Sequence, residues 1–380
     1  GNMALQMMLG LVEPGVSNDR LLNGPTNVVW IDPWVAYLRQ RGVDFHFNAP
    51  AIALHCTDGR IRSVTVQENE QPIEVTADYY LVCVPVEAMA RLLQDDVYVE
   101  NGETRYRNVL EADPSLAGIL ELSQNVAWMN GIQFYLRRDV PIARGHTMYL
   151  DSPWALTSIS QHQFWPHIDL SHYGDGTIQG ILSVDISNWD VPGILYGKPA
   201  ELCTIEEIKA ETWAQLKRSL NGPGREVLRD EDLHSAYVDT DIQPSEVPDE
   251  MDTDAEPLLI NKVNTWSLRP GAFTRLPNLF LAADYVRTNT QLATMEAANE
   301  AARRAVNAIL NASGSKASLC EIWSLHEPAV LAPWRWYDQW RFRRGLPWNA
   351  PLPSIILLAY AASRAAIHRT ADTVRQALPG

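Results

Sequence analysis

The alternation of apolar and polar residues predicts several strands and helices in the first hundred residues. The predicted elements of this zone are, in chain order, a helix over 34–41, a strand over 43–47, a hairpin formed by 52–56 and 61–66, a buried strand over 79–84 and a helix over 86–93. Asp58-Gly59 stands between the two hairpin segments, and this pair is typical of a tight turn. The order of these elements predicts an α/β domain with an inserted β-meander.

The middle of the chain mixes strands with one long helix. The segments 131–136 and 180–185 are rich in apolar residues and predict strands of an antiparallel sheet. The segment 204–220 has helical spacing, and Thr204 is a suitable N-cap for it. These patterns predict a region with its own sheet and its own core.

The most informative pattern lies in 266–313. Five apolar residues, 279–283, precede Asp284 and predict a buried parallel strand with a carboxylate at its C-terminal end. An alanine-rich helix over 294–310 follows a polar loop. The candidate N-caps of this helix are Asn289, Thr290 and Thr294. Because ligands bind at the C-terminal ends of strands in doubly wound sheets, we expect a ligand site between Asp284 and the start of this helix.

Composition limits the classes of function. The chain has 380 residues and a formal net charge of −15, which argues against a nucleic-acid partner because phosphate binding needs a basic face. The four cysteines are far apart and form no C-x-x-C pair, so we expect a reducing compartment such as the cytoplasm. No signal peptide is recognised, and no apolar run reaches the roughly 20 residues of a membrane-spanning helix.

The C-terminal tail is aromatic and basic. Its aromatic residues include Trp334, Trp336, Tyr337, Trp340 and Phe342, and its arginines include Arg335, Arg341, Arg343 and Arg344. A segment that is apolar nearly all round follows at 355–362. This combination is typical of a peripheral contact with a membrane surface. The alternative is a helical tail that packs on its own domain.

Two other patterns suggest chemistry, but their spacing does not support it. His162, His167 and His172 recur every five residues, which fits neither one face of a helix nor one face of a strand, so we predict no metal site. Ser158 and Ser160 do not stand in a G-x-S-x-G sequence, so a hydrolase nucleophile is not indicated.

A strand that ends in an aspartate, followed by a loop and the start of a helix, suits a redox cofactor such as flavin. Reduced flavin carries negative charge over N1 and the C2 carbonyl. The N-terminus of a helix offers free N–H groups and about half a positive charge to such a group. Asp284 can accept a hydrogen bond from a ribityl hydroxyl, whereas it would repel a phosphate.

The residues of this zone resemble a known family. Leu281-Ala282-Ala283-Asp284-Tyr285-Val286, followed by Leu292-Ala293-Thr294-Met295-Glu296-Ala297-Ala298, is similar to the C-terminal FAD signature of the flavin amine oxidase superfamily. The likeness is greatest to plant- and cyanobacterial-type phytoene and zeta-carotene desaturases, with approximately L-A-G-D-Y-T and L-A-S-M-E-G-A. Ala77-Asp78-Tyr79-Tyr80-Leu81-Val82-Cys83-Val84-Pro85 matches A-D-x-V-V-x-A-x-P of the same family.

The resemblance implies a role for individual residues. Asp284 would meet the ribityl chain, and the backbone of Met295 and Glu296 would face the flavin carbonyl. Trp266 would lie close to the ring. The full set of cofactor-binding residues implied is Ala51, Ile52, Val84, Pro85, Trp266, Ala283, Asp284, Tyr285, Thr294, Met295, Glu296 and Ala297. Within this set, Ala51 or Ile52 would border the adenine, and Val84 and Pro85 would lie near the pyrophosphate.

The sequence departs from the family in three places. Ala283 and Ala297 replace glycines that are common in the family, and each methyl group narrows the space beside the cofactor. No G-x-G-x-x-G sequence follows a strand, because Gly174 and Gly176 are followed by Gly180, which is the wrong spacing. We therefore expect an amine oxidase-like α/β fold without its first Rossmann unit, and that half would be supplied by a longer parent chain or by another chain.

These expectations combine into a domain plan and a function. The plan is an N-terminal segment (1–23), part of the FAD domain (24–99), an antiparallel-sheet substrate domain (100–265), the C-terminal FAD-binding strand and helix (266–313) and an aromatic and basic tail (314–380). The resemblance implies an FAD-dependent oxidoreductase that transfers a hydride from an apolar, carotenoid-like substrate to flavin N5. The alternatives are an amine or other small-molecule oxidase and a non-catalytic relic that binds a lipid or a partner.

Overall fold

The computed structural model describes residues 21–245, 250–290, 293–324 and 332–347. The described residues fall into two compact units, one within 19–321 and the other within 322–347. The predicted apolar segment 355–362 lies outside the described residues. The five-segment domain plan stays a prediction.

Helices and strands alternate irregularly along the chain. The helices are α1 (Asp32–Gln40), α2 (Val86–Gln94), α3 (Asn108–Ala112), α4 (Gly118–Leu122), α5 (Ile205–Leu220), α6 (Met295–Ala312) and α7 (Ala332–Phe342). The strands are β1 (Ala51–Thr57), β2 (Arg60–Glu68), β3 (Gln71–Val75), β4 (Tyr80–Val82), β5 (Val97–Glu100), β6 (Glu103–Tyr106), β7 (Val126–Ala127), β8 (Asn130–Leu136), β9 (Thr147–Met148), β10 (Thr157–Ser160), β11 (Gly180–Ile186), β12 (Leu233–Val238), β13 (Ile242–Gln243), β14 (Thr253–Asp254), β15 (Leu258–Leu259) and β16 (Leu279–Leu281).

The predicted hairpin is present as β1 and β2, which pair in an antiparallel sheet with β3. Asp58 and Gly59 form its turn, with φ values of 53° and 68°, and this left-handed conformation is what the tight turn requires. The third strand was not predicted. It contains Pro72, which fits an edge position because proline donates no ladder hydrogen bond.

The prediction of a strand over 43–47 is wrong, because this segment is irregular. Phe45 and Phe47 stack with their ring centroids 5.8 Å apart, and the guanidinium of Arg39 lies over both rings. A strand needs a neighbour that satisfies its backbone groups, and no described strand pairs with this segment. The alternating residues instead place Phe45 and Phe47 in a cluster with Arg39 of α1.

Two short strands from distant parts of the chain form a parallel pair. β16 pairs with β4 in the register Leu279 to Tyr80 and Leu281 to Val82. Leu279 and Leu281 are fully buried. They belong to the same core cluster as residues of α2 and α6, namely Met89, Leu93, Ala301 and Ala305. The small side chains of α6 let this helix lie close to β16.

A five-stranded antiparallel sheet lies in the middle of the chain, in the strand order β12-β8-β11-β10-β9. One face carries buried apolar residues, such as Phe134 and Val184, and shares a core with α5. Thr204 caps α5 in a capping box with Glu207, as the sequence predicted. In β8, Gln133 and Tyr135 alternate with the buried residues and therefore lie on the opposite face of the sheet. The fold is therefore mixed α/β.

A second anchor fixes the loop in front of α5. The carboxylate of Glu211 is fully buried and accepts hydrogen bonds from the backbone N–H groups of Ile194, Leu195 and Tyr196, at 2.6, 2.7 and 3.2 Å.

In the described ranges, no helix is both long enough and apolar enough to span a bilayer.

Candidate functional site

The parallel pair brings two predicted site segments together. Because β4 and β16 run in the same direction, Val84-Pro85 and Asp284 follow neighbouring C-terminal strand ends. The N–H of Ala282 donates to the carbonyl of Val82 at 3.0 Å, which continues the pairing toward these residues. The ends of adjacent parallel strands are the usual place for a ligand in an α/β sheet.

Asp284 lies beside a buried arginine. The guanidinium of Arg269, which is only 3% exposed, donates to the backbone carbonyl of Asp284 and to Asn261 Oδ1, the latter at 2.8 Å. Burial raises the pKa of Asp284, while the positive charge of Arg269 lowers it. Arg269 therefore fixes the backbone of this turn and partly offsets the burial of its carboxylate.

Two further polar groups at this end of the pair have no partner in the described part of the chain. Tyr285 is fully buried and its hydroxyl makes no hydrogen bond, and Glu87 Oε2, in the first turn of α2, is also buried and unpaired. Burial raises the pKa of Tyr285, and burial together with the charges of Glu256 and Asp284 raises the pKa of Glu87. Buried polar groups without partners are rare and indicate a missing water or ligand.

This donor set fits one part of a flavin cofactor and not another. A carboxylate, a protonated phenol and an easily protonated glutamate can exchange hydrogen bonds with the hydroxyl groups of a ribityl chain. The same acidic groups would repel a pyrophosphate. The turn from β4 to α2, Cys83-Val84-Pro85, contains no glycine and Pro85 has no N–H, so it offers little for binding phosphate.

The start of α6 provides the second predicted element of the site. Thr294 Oγ1 accepts from the N–H of Ala297 at 3.3 Å, so Thr294 is the N-cap among the three candidates. The N–H groups of Met295 and Glu296 have no partner among the described residues, and both side chains are exposed. Free amides at a helix N-terminus favour negative charge nearby.

The loop between Asp284 and α6 is held by the helix itself. The buried carboxylate of Glu300 accepts from the N–H groups of Asn289 and Thr290, at 2.6 and 3.1 Å, and from Arg304 Nε at 2.8 Å. This network ties the loop that follows Asp284 to the second and third turns of α6.

The remaining predicted residues differ in how they relate to Asp284. Trp266 is exposed and opens a short 3₁₀ turn, and Arg287 N donates to the carbonyl of Pro270 at 2.9 Å, which joins this segment to the Asp284 turn. Ala51 and Ile52 are exposed on β1, and among the described residues no hydrogen bond joins them to Asp284. Ala283 is half-buried and Ala297 is buried. The role of each residue in the set stays a prediction.

Sequence reasoning missed the residues that support the site. Arg269 and Asn261 act through burial and long-range hydrogen bonds, which a sequence pattern does not show. Glu300 had a detectable signal, since Glu300 and Arg304 stand at i and i+4 on a predicted helix.

The unit comprising 19–321 also contains two described cavities. A cavity of about 670 Å³ lies over the five-stranded sheet, on the face opposite α5. Its lining includes Gln133, Tyr135, Trp165, Ile168 and Ile181. A smaller one, of about 380 Å³, is lined by residues such as Tyr79, Phe273 and Phe280 and by the C-terminal end of α6.

Comparison with known proteins gave a family and a set of distant structures. A family model described as "Flavin containing amine oxidoreductase" matches residues 28–310. A search of curated proteins gave no match.

Solved structures similar to the chain include three oxidoreductase-type proteins. An oxidoreductase from Methanosarcina mazei is 14% identical with a TM-score of 0.43, over 75% of this chain and 54% of that chain. A geranylgeranyl bacteriochlorophyll reductase-like protein from Thermoplasma acidophilum is 12% identical with a TM-score of 0.39, over 75% and 53%. A triple mutant of putrescine oxidase, redesigned in its cofactor binding, is 13% identical with a TM-score of 0.41, over 74% and 52%. The chain spans about half the length of these structures.

Proposed function

We propose that this chain, which belongs to the family of flavin-containing amine oxidoreductases, is part of an FAD-dependent oxidoreductase. In this proposal the substrate is apolar and isoprenoid- or carotenoid-like. The observation that carries the proposal is the parallel pairing of β4 with β16, which sets Val84-Pro85 and Asp284 side by side at one edge. When bound, the flavin supplies a hydride acceptor at N5.

The residues of this chain bind and orient the cofactor in this proposal. Asp284 accepts a hydrogen bond from a ribityl hydroxyl, and Arg269 fixes the turn that carries Asp284. The free N–H groups of Met295 and Glu296 stabilise negative charge that develops near the start of α6. No residue is assigned as a catalytic acid or base, because hydride removal from a carbon does not require one.

We further propose that the pyrophosphate-binding half comes from a longer parent chain or from a second chain. Parallel strands normally have both faces covered, yet Leu81 in β4 is 40% exposed. In the described part of the chain β4 also has only β16 as a partner, so its other edge is open. A strand of the missing half would pair with the open edge of β4 and cover Leu81.

Absorbance tests the flavin assignment. An intact parent chain, or the reconstituted pair of chains, is expected to turn yellow with FAD and to show flavin bands after gel filtration. Asp284→Ala is expected to weaken FAD retention about tenfold, the equivalent of one charge-assisted hydrogen bond. Asp151→Ala, at an exposed turn, is the control and should bind normally. A colourless intact protein would favour the alternative of a non-catalytic relic.

The large cavity over the sheet supports an apolar substrate. One of its walls is formed by Trp165, Ile168, Leu170, Ile178 and Ile181. Cavities of several hundred Å³ with such walls are typical of small-molecule sites.

An amine substrate is the second candidate, and Asp185 is the observation that favours it. This carboxylate is half-buried on the cavity face of the sheet, four residues along β11 from Ile181. Burial raises its pKa and the positive charge of His146 lowers it. A substrate ammonium near Asp185 would act as a counter-ion.

We also propose a membrane-surface contact by the tail. In α7, Trp336 is 73% and Phe342 83% exposed, and the guanidinium of Arg344 lies 4.4 Å from the ring centroid of Trp340. Exposed aromatic and cationic side chains suit the headgroup region of a bilayer. Sedimentation with anionic liposomes should retain the full chain and lose most of a chain that ends at Gly314. Equal binding by both would contradict this proposal.

A further inference from the structure

The cavity over the five-stranded sheet has two chemically different sides. The side opposite the sheet is built by the loop between β10 and β11, through Trp165, Ile168, Leu170 and Ile178. The other side is the sheet itself, where β8 and β12 present Gln133, Tyr135, His234 and Ser235, and β11 presents Ile181 beside Tyr135. A volume of about 670 Å³ accepts a molecule of two or three rings.

Most polar groups on the sheet side are already paired within the protein. Gln161 Nε2 donates to Ser183 Oγ at 3.2 Å. His234 makes contacts of 3.0 Å to Asp175 Oδ2 and 2.9 Å to Ser235 Oγ. The first of these joins β12 to the turn at 174–177, which follows the apolar wall. The imidazole that lines the cavity is therefore already paired with a carboxylate.

Gln133 is the exception. The hydroxyl of Tyr135 donates to Gln133 Oε1 at 2.9 Å, which uses the acceptor end of the amide and turns its Nε2 end away from Tyr135. Gln133 Nε2 has no hydrogen-bond partner among the described residues. Because burial raises the pKa of Tyr135, its phenol keeps the proton that orients the amide. An amide nitrogen is a donor only, and Gln133 is exposed, so its acceptor is either water or a ligand that enters the cavity.

A second donor in the same lining is also unpaired. Trp165 Nε1 is buried and has no partner in the described part of the chain. The lining thus offers two donors without a protein partner, Gln133 Nε2 and Trp165 Nε1, beside a set of apolar side chains. A ligand that supplies an acceptor atom on an apolar body would match both properties.

We propose that this cavity binds a neutral amphipathic molecule, whose rings or chain pack against Trp165 and Ile181 and whose carbonyl or ether-type oxygen accepts from Gln133 Nε2. Tyr135 is a positioning residue that holds the amide in the donating orientation. This assignment deepens the proposed function, because it gives the apolar substrate an oxygen-bearing end group. The binding itself does not depend on the proposed function; only the statement that the ligand is a substrate rests on it.

Two probes of the same shape test the proposal on the full chain without flavin. 2-Acetylnaphthalene carries a carbonyl acceptor, and 2-ethylnaphthalene has the same body without one. Equilibrium dialysis gives a dissociation constant for each. The native chain is expected to bind the ketone about 3- to 10-fold more tightly than the hydrocarbon, the range of one net hydrogen bond. Absence of saturable binding, or equal binding of the two probes, would overturn the proposal.

Three variants locate the interaction. Gln133→Leu keeps the size of the side chain and should reduce the preference for the ketone to about one, while the hydrocarbon binds as well as before. Tyr135→Phe should reduce the preference partly, since the amide then loses its fixed orientation. Ile181→Phe fills part of the cavity and should weaken both probes. A preference for the ketone that persists in Gln133→Leu would sink the idea.

The matched control lies in the other cavity. Phe273→Ala changes the smaller cavity, where Phe273 is 70% exposed, and should leave both probes unaffected. Loss of binding in this variant would place the probes elsewhere and overturn the assignment. Thermal melting of each variant checks folding, and Gln133→Leu on the solvent side of the sheet is expected to melt normally. The probe-binding experiments use no flavin, so a negative result in them does not affect the FAD-binding test. The ligand proposal and the proposed function can therefore be refuted independently.

Discussion

Asn278 joins the hairpin to the strand pair of the candidate site, and its replacement gives the sharpest test of the fold. Its Oδ1 accepts from Ile61 N at 3.1 Å, and its Nδ2 donates to Ile61 O at 2.9 Å. Both residues are 2% exposed. Asn278→Ala removes two hydrogen bonds and leaves a buried backbone donor and acceptor unpaired. We expect the free energy of unfolding to fall by about 2–4 kcal/mol.

Asn278→Asp separates hydrogen bonding from shape. The aspartate keeps an acceptor for Ile61 N, but its second oxygen would face the carbonyl of Ile61 instead of donating to it. The variant should therefore be at least as unstable as Asn278→Ala at pH 7. It should recover part of the loss at low pH, where a protonated carboxyl donates again.

Urea unfolding followed by tryptophan fluorescence measures both changes. A loss of about 2–4 kcal/mol corresponds to a decrease of about 2.5–5 °C in the melting temperature at this chain length, because the entropy of unfolding grows with the number of residues. The control is Asn311→Ala, at an exposed position of α6, which should change stability by less than about 0.5 kcal/mol. An Asn278→Asp variant as stable as the native chain at pH 7 would refute the reasoning.

Three further outcomes are expected. Burial raises the pKa of Asp284, so the stability that its protonation contributes is present at low pH and is lost as the pH rises through that pKa. Asparagine cannot ionise, so Asp284→Asn should be more stable than the native chain between pH 4 and pH 8 in thermal melts. Gly193→Ala would place a methyl group 2.4 Å from Glu211 Cδ and should cost about 3 kcal/mol in urea unfolding, whereas Gly222→Ala, with no atom within 4 Å, should be nearly neutral. Asp185→Asn should leave the KM of a neutral substrate unchanged, and a tenfold rise of KM for an amine would favour the second candidate function.

Features encoded by a few neighbouring residues were predictable from the sequence. Asp58-Gly59 specified a turn, and Thr204 and Thr294 specified helix starts, because each acts on backbone groups within three residues. The apolar run before Asp284 identified a buried strand because it stands between a proline and a carboxylate.

Features that depend on a distant partner were not predictable. The segment 43–47 has a strand-like pattern, but a strand also requires a neighbour, which its own residues do not encode. Arg269 and Asn278 are polar residues that became buried through bonds to remote backbone groups. The cavity and its donor at Gln133 arise only when β8, β11 and the loop after β10 are assembled.

The bond between Asn278 and Ile61 spans 217 positions of the chain. Closing so long a loop costs conformational entropy before any contact rewards it, so the edge formed by β4 and β16 is expected to assemble late in folding. A ribosome must have released the whole middle region before this edge exists. In the proposed flavoprotein, cofactor binding at this end has to wait until β16 pairs with β4, so a change in the middle region that slows its folding would delay binding without altering a residue of the proposed site.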